Sequence, residues 1–400
     1  MRSRDFALYL ISRFAAASAT TMLRTAIAWH VFALSHSAFH LGLIGLVQFV
    51  PVLGLMLVGG ALADTYERRR LMMIAQAIPL ACGLVLFFAT RAGSVELLML
   101  YGVVVAAAVS WSLDSPARAA LLPTLVGRPD FPRAVTIAST VQALAFATGP
   151  AIGGWVIGAA TVAAAYAVVV ALVGVSLGAL VFLRPQHPRG TAGAMSLAAV
   201  REGLRFVARN QVVLGCMVLD MFAVIFGGAV ALLPIYATDI LGVGARGYGL
   251  LTASLDIGAL CMSLVLALTP PVRRAGRALL VGVAVYGVVT IVFGLSRWFP
   301  LSVAAYMMAG MADQVSVVMR STAIQLSTPD ALRGRVSAVN MIFIGASNQL
   351  GAAESGFVAA LTTPTFSVVS GGLGCLLVVA VVGTRLPRLR RYRTDVESGH

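Results

Sequence analysis

Twelve apolar runs of membrane-spanning length, separated by short stretches that carry most of the arginines, leave this chain few folds to choose from. They are Phe6–Leu34, His40–Ala63, Leu71–Thr90, Val95–Leu113, Ala134–Ala159, Thr161–Leu183, Val212–Ile240, Tyr248–Leu268, Ala278–Leu295, Phe299–Arg320, Val336–Leu361 and Phe366–Thr384. A bilayer core needs roughly 20 apolar residues per helix, so the pattern predicts twelve transmembrane helices. Hydrophobic residues make up 59% of the 400 and charged residues only 11%, against roughly 25% charged in a soluble domain. No water-soluble fold hides that much apolar surface. The first run follows Arg2 and Arg4 but continues to Leu34, which makes it a span rather than a signal peptide.

The net charge of +14 does not point to nucleic acid. A nucleic-acid binder gathers its basic residues on one solvated patch, whereas here they fall between apolar runs. All 29 basic residues are arginine, so a P-loop lysine and a Schiff-base lysine are both excluded. Cys82, Cys216, Cys261 and Cys375 sit singly inside apolar runs without metal or disulfide spacing. The sequence therefore predicts no metal and no cofactor. No nucleophile–base pair marks an enzyme.

Short cytoplasmic loops carry the arginine excess of a membrane protein. Alternate connections hold Arg68–Arg70; Arg118, Arg128 and Arg133; Arg184–Arg209; Arg273–Arg277; and Arg333 with Arg335. The opposite connections hold only Arg91, Arg246 and Arg297. Both termini fall on the arginine-rich, cytoplasmic side. The longest connection divides the helices six and six, giving bundles at 1–183 and 212–385, a linker at 184–211 and a cytoplasmic tail at 386–400. Within the linker, Leu197, Val200, Leu204 and Val207 share one helical face and Arg201, Arg205 and Arg209 another. Such a helix is expected to lie on the inner leaflet.

Three motifs carry a resemblance. After the second run, Gly60, Asp64, Arg68 and Arg69 are spaced as in the G-x-x-x-D-R-x-G-R-R signature of the major facilitator superfamily, with Thr65 and Glu67 replacing its usual arginine and glycine. Gly149, Pro150, Gly153 and Gly154 match the G-P-x-x-G-G core associated with antiporters of that superfamily. Leu332-Arg333-Gly-Arg335 and Ile344–Gly351, with Ala28–Val31 and Leu41–Leu46, resemble its enterobactin-exporter branch. The resemblance implies an all-α integral membrane fold of two six-helix bundles around a central cavity. It also implies a bacterial inner-membrane exporter that works as a monomer, trading protons for a siderophore or drug. For the cytoplasmic gate it implies a latch of Gly60, Asp64, Arg68 and Arg69 acting with Asp114 and Arg118 in one half and Arg333 and Arg335 in the other. In the superfamily an arginine of the signature loop pairs with an acid at the position Asp114 occupies.

A charge inside a span costs roughly 2.5–3.5 kcal/mol on insertion scales and is a functional candidate by default. Arg24, near the middle of the first run, has no acid near it in sequence and is expected to contact an anionic substrate. Asp256 and Asp313 fall near the centres of their runs, where loss of water favours the neutral, proton-carrying form. Asp220 and Glu354 are further proton-coupling candidates. Arg320, near an inner helix end, is expected to reach the surface or to pair at the gate. Asn348, with Gln48, Gln142, Asn340 and Gln349, is a candidate for the cavity wall. His30 and His40 fit the membrane interface better than a metal site.

The function expected is thus secondary export of a small molecule across a lipid bilayer. An importer or symporter on the same fold is the first alternative. A non-transporting sensor or assembly factor is the second, disfavoured because it has no need of costly intramembrane charges.

Overall fold

A computed structural model describes residues 4–49, 51, 67–184, 197–270 and 272–393. Among these the chain is helical throughout and contains no strand. In order come α1 (Arg4–Ser35), α2 (Ala38–Phe49), α3 (Arg68–Ala92), α4 (Leu97–Leu125), α5 (Phe131–Ala159) and α6 (Val162–Val181). Then follow α7 (Leu197–Arg209), α8 (Gln211–Ile240), α9 (Gly244–Leu268), α10 (Ala275–Leu295), α11 (Phe299–Leu326), α12 (Arg333–Leu361), α13 (Pro364–Arg385) and the short α14 (Pro387–Arg390).

Ten of these are long and apolar enough to cross a membrane. Helix α12 has 29 residues, about 44 Å at 1.5 Å per residue. It is long enough to span, but Arg333, Arg335, Asn340, Asn348, Gln349 and Glu354 lower its apolarity. The apolar run containing α2 continues into residues 52–63, which lie outside the described residues. Among the described residues, the ten spans, α12 and α2 each fall on one of the runs read from the sequence.

A helix closes its own backbone bonds and leaves only its ends open, and lipid penalises every open end. Thr161, Asn210 and Thr363 therefore cap α6, α8 and α13 with side-chain oxygens. Gly93 closes α3 at φ 67°, and Ser94 N–H donates back to the Ala89 carbonyl at 3.0 Å.

Two compact units form. The first draws its described residues from Met1–His36, Val47–Ala194 and Gly242–Ala253. In it α1 lies against α5 and α6, and α3 against α4 and α6. Phe6, Tyr9, Met72, Leu121, Ala134 and Leu180 close one end as a buried cluster. The Gly149–Gly154 motif explains the tight packing of α5, since small residues let helix backbones approach. A side chain at Gly149 would strike the Ser18 carbonyl and Thr21, and one at Gly153 would press on Met22. Gly154 meets the backbone of Gly249, which is why the start of α9 belongs to this unit.

The second unit draws its described residues from Ser37–Leu46, Met195–Leu241 and Ser254–His400. Here α10 lies against α11 and α13, and α8 against α12 and α13. The start of α2 joins it because Gly42 and Gly356 touch backbone to backbone. Helix α8 is not the single rod read from Val212–Ile240. Its α-helical part ends at Phe226, then Gly227 and Gly228 lead into a 3₁₀ turn over Ala229–Leu232 and a π turn over Tyr236–Ile240. Gly228 is pressed against the Gly351 carbonyl, and Tyr286 Oη donates to the freed Gly227 carbonyl at 3.0 Å. The break thus leaves that carbonyl satisfied, as lipid requires.

Helix α7 docks on the protein, with Val207 in the second unit's core and Gly203 against the Arg335 carbonyl. Leu204 is left 43% exposed. Glycine at 203 permits this approach. The side chains of Leu197 and Val200 lie outside the described residues.

Candidate functional site

In the first unit, α1 presents Tyr9 and Ser12 towards Arg118 of α4 and Arg13 towards α5, while α4 carries Trp111, Asp114 and Arg118. Asp114 and Arg118 are one helical turn apart, the spacing at which side chains meet. Arg118 grips both oxygens of Asp114, at 2.8 Å from Nε and 3.0 Å from Nη2. Gln76 of α3 donates to Asp114 Oδ1 at 3.1 Å. Arg118 also donates from Nη1 to Ser12 Oγ at 3.2 Å, and Ser12 Oγ lies 2.8 Å from Ser176 Oγ of α6. A bidentate pair with further bonds is the form in which a buried charge is tolerable.

Arg13 is the residue that sequence reasoning missed. Its Nη1 donates to Tyr9 Oη at 2.9 Å, its Nε to the Ala138 carbonyl at 2.9 Å, and its Nη2 to Gln142 Oε1. None of these acceptors is charged. The signal was available, because Arg13 lies inside the Phe6–Leu34 run, but it is easily grouped with the flanking Arg2 and Arg4. Arg13, Gln76, Trp111, Asp114, Arg118 and Gln142 all line one cavity of about 140 Å³ within this unit. Among the described residues two guanidinium groups and one carboxylate line it, a surplus of positive charge.

Arg24 stands beside this cavity on α1. Its guanidinium lies 5.8 Å from the centroid of Trp111, within cation–π range. The side chain is exposed and makes no ion pair among the described residues.

The second unit places its charges differently. Asp220 of α8 and Arg320 of α11 form a buried ion pair, with side chains 7% and 5% exposed. Arg320 thus pairs rather than reaching the surface. Asp256 of α9 and Asp313 of α11 are half-buried and form no ion pair among the described residues. Their helices touch closely, since a side chain at Gly258 would collide with the Met307 carbonyl and one at Gly310 with that of Leu255. Glu354, half-buried on α12, accepts from Ser355 Oγ at 3.3 Å. Asn348 is exposed and donates to the Ile344 carbonyl of its own helix at 2.8 Å.

Of the signature loop, Gly60 and Asp64 lie outside the described residues. Arg69 donates to the Leu183 carbonyl at 2.6 Å, and Glu67 pairs with Arg70 at 2.7 Å. Arg68 Nε is buried without a hydrogen-bond partner. Asp114 is bonded to Arg118 and Gln76, not to Arg68 or Arg69. In the second unit Arg335 pairs with Glu202 of α7 at 2.6 Å and Arg333 with Asp330 at 2.9 Å. The first of these pairs ties the linker helix to the start of α12. His30 is buried, with Nδ1 3.0 Å from Tyr166 Oη. No group of three or more potential metal ligands occurs among the described residues.

Compared with known proteins, residues 1–399 match the family described as transmembrane secretion effector. The enterobactin exporter EntS of Escherichia coli is 27% identical over 392 residues, covering 97% of this chain and 93% of the relative. EntS of Escherichia fergusonii gives the same figures. Among solved structures, a variant of the nucleoside transporter NupG aligns with a TM-score of 0.75 at 10% identity, over 96% of this chain and 99% of that one. A bacterial homologue of the human lysosomal transporter Spinster, inward-facing and unoccupied, gives 0.71 at 13% identity over 98% and 97%. A POT family transporter in complex with 5-aminolevulinic acid gives 0.73 at 11% over 96% of each. At such identities the likeness to these structures is one of fold.

Proposed function

The chain belongs to the transmembrane secretion effector family of the major facilitator superfamily, and from that premise we propose that it is a proton-coupled exporter of a small acidic molecule. It is a multi-pass membrane transporter and not an enzyme. The observation that carries the proposal is an asymmetry of intramembrane charge. Among the described residues, Arg13 and Arg118 line the first unit's cavity with Asp114 as the one acid of its wall, and Arg24 stands over Trp111 of that wall. The second unit holds Asp256 and Asp313 with no basic partner among the described residues. Surplus guanidinium groups suit an anionic substrate, and unpaired carboxyl groups at membrane depth suit proton carriage.

Export rather than uptake is supported by the likeness to the enterobactin exporter and by the Gly149–Gly154 antiporter-type core. A siderophore or an acidic drug fits the charge. The arginine-rich connections and both termini are assigned to the cytoplasmic side of a bacterial inner membrane. Transport proceeds by alternating access, by a monomer, with Arg68, Arg69, Arg333 and Arg335 at the cytoplasmic gate.

Arg24 tests the substrate class. Arg24→Ala is expected to lower transport of acidic substrates about tenfold, the loss of one charge-assisted contact worth about 1.5 kcal/mol, while cationic substrates are spared. Arg24→Lys should recover part of the loss, because it restores charge without the planar fork. Initial rates in proteoliposomes, across substrates of graded charge, provide the check. Equal loss for substrates of every charge would make Arg24 a structural residue.

A further inference from the structure

A second pocket, of about 260 Å³, lies in the second unit between the end of α7, the start of α8 and α14. Phe206, Arg209, Asn210, Gln211, Val212 and Arg388 line it. Asn210 is fully engaged, its Oδ1 accepting from the Val212 and Val213 N–H groups and its Nδ2 donating to the Ser327 carbonyl. The other polar groups are not. Gln211 Oε1 is buried without a hydrogen-bond partner. Arg209 and Arg388 are exposed and make no ion pair among the described residues.

The walls are firmly placed. Leu389, next to Arg388, is fully buried against Gly215 of α8, and Gly276 N–H donates to the Tyr392 carbonyl at 3.3 Å. Gln211 is the first residue of the span Gln211–Ile240 and Arg385 the last of Pro364–Arg385. The pocket therefore opens where two spans end, at the level of the lipid headgroups on the arginine-rich side. Its two guanidinium groups can share one phosphodiester, Phe206 and Val212 offer apolar surface to the glycerol backbone, and Gln211 offers an acceptor to a headgroup hydroxyl.

We propose that this pocket holds the headgroup of an anionic phospholipid, with its phosphate between Arg209 and Arg388 and a headgroup hydroxyl on Gln211. Phosphatidylglycerol has the required chemistry. Its anchored headgroup would fasten α7 and the C-terminal segment to the bilayer, independently of what the transporter carries.

Native mass spectrometry of the delipidated full chain, titrated with phosphatidylglycerol, tests the site. Each arginine near an anionic lipid is worth about fivefold in binding, so Arg209→Gln with Arg388→Gln is expected to weaken binding about twenty-five-fold. The control Arg128→Gln with Arg133→Gln, which removes two exposed charges elsewhere, should change it less than about threefold. Inorganic phosphate at equal concentration should not displace the lipid. Equal loss in both double variants would overturn the site, and full displacement by phosphate would make a free anion its occupant and overturn the lipid assignment. Should the pocket variant misfold, Gln211→Leu decides. It should weaken phosphatidylglycerol relative to phosphatidic acid, which lacks the headgroup glycerol and its hydroxyls, and an unchanged ratio would count against the site.

Discussion

Arg320→Ala is expected to destabilise the protein by about 3–5 kcal/mol, because it strands the buried carboxylate of Asp220 without its partner. Asp220→Ala should cost a similar amount by stranding the guanidinium. Asp220→Leu combined with Arg320→Met should recover most of the loss, since two apolar side chains of similar volume replace a pair that must otherwise stay desolvated. Thermal unfolding of each variant in nanodiscs measures this directly. Single losses that simply add in the double variant would mean that the two residues do not act as a pair. The pairing also sets Asp220 apart from Asp256 and Asp313, the carboxyl groups proposed to carry protons.

Those groups give the second large effect. Asp256→Asn and Asp313→Asn are each expected to abolish gradient-driven substrate accumulation, reducing it to the level of protein-free vesicles. Substrate exchange without a gradient should survive, as exchange need not release the proton. The two carboxyl groups sit on helices that pack backbone to backbone at Gly258 and Gly310. Full proton-coupled transport in both variants would move the proposed proton site to Glu354, which is half-buried and accepts a hydrogen bond from Ser355.

Hydropathy and arginine placement made the fold class legible, because lipid admits so few solutions and each helix must repeat the same composition. Local departures were less visible. The break in α8 depends on Gly227 and Gly228 meeting α12 and Tyr286, and nothing in the apolar run announces those partners. The docking of α7 turns on Gly203, a residue that an amphipathic pattern counts as neither apolar nor charged. At the candidate site, single intramembrane charges stood out, but their pairings did not. Asp114 and Arg118 were adjacent by helical spacing alone, whereas Asp220 and Arg320 are 100 positions apart in the chain and meet only through tertiary packing. Arg13 was hidden by its closeness to the N-terminal basic flank, and its partners Gln142 and the Ala138 carbonyl come from a distant helix. Gln76 was likewise hidden, since an uncharged amide in an apolar run is commonly a packing residue and only the contact with Asp114 marks it.

The central claim is that protons and an acidic substrate move in opposite directions through this chain. Proteoliposomes given an acidic interior, with a catecholate siderophore outside, test it most directly. Antiport predicts that outward proton flow drives the substrate inward, against the passive tendency of a weak acid to collect in the alkaline compartment, and that a protonophore stops it. Accumulation driven instead by an alkaline interior, absent from protein-free liposomes, would identify a symporter and contradict the account.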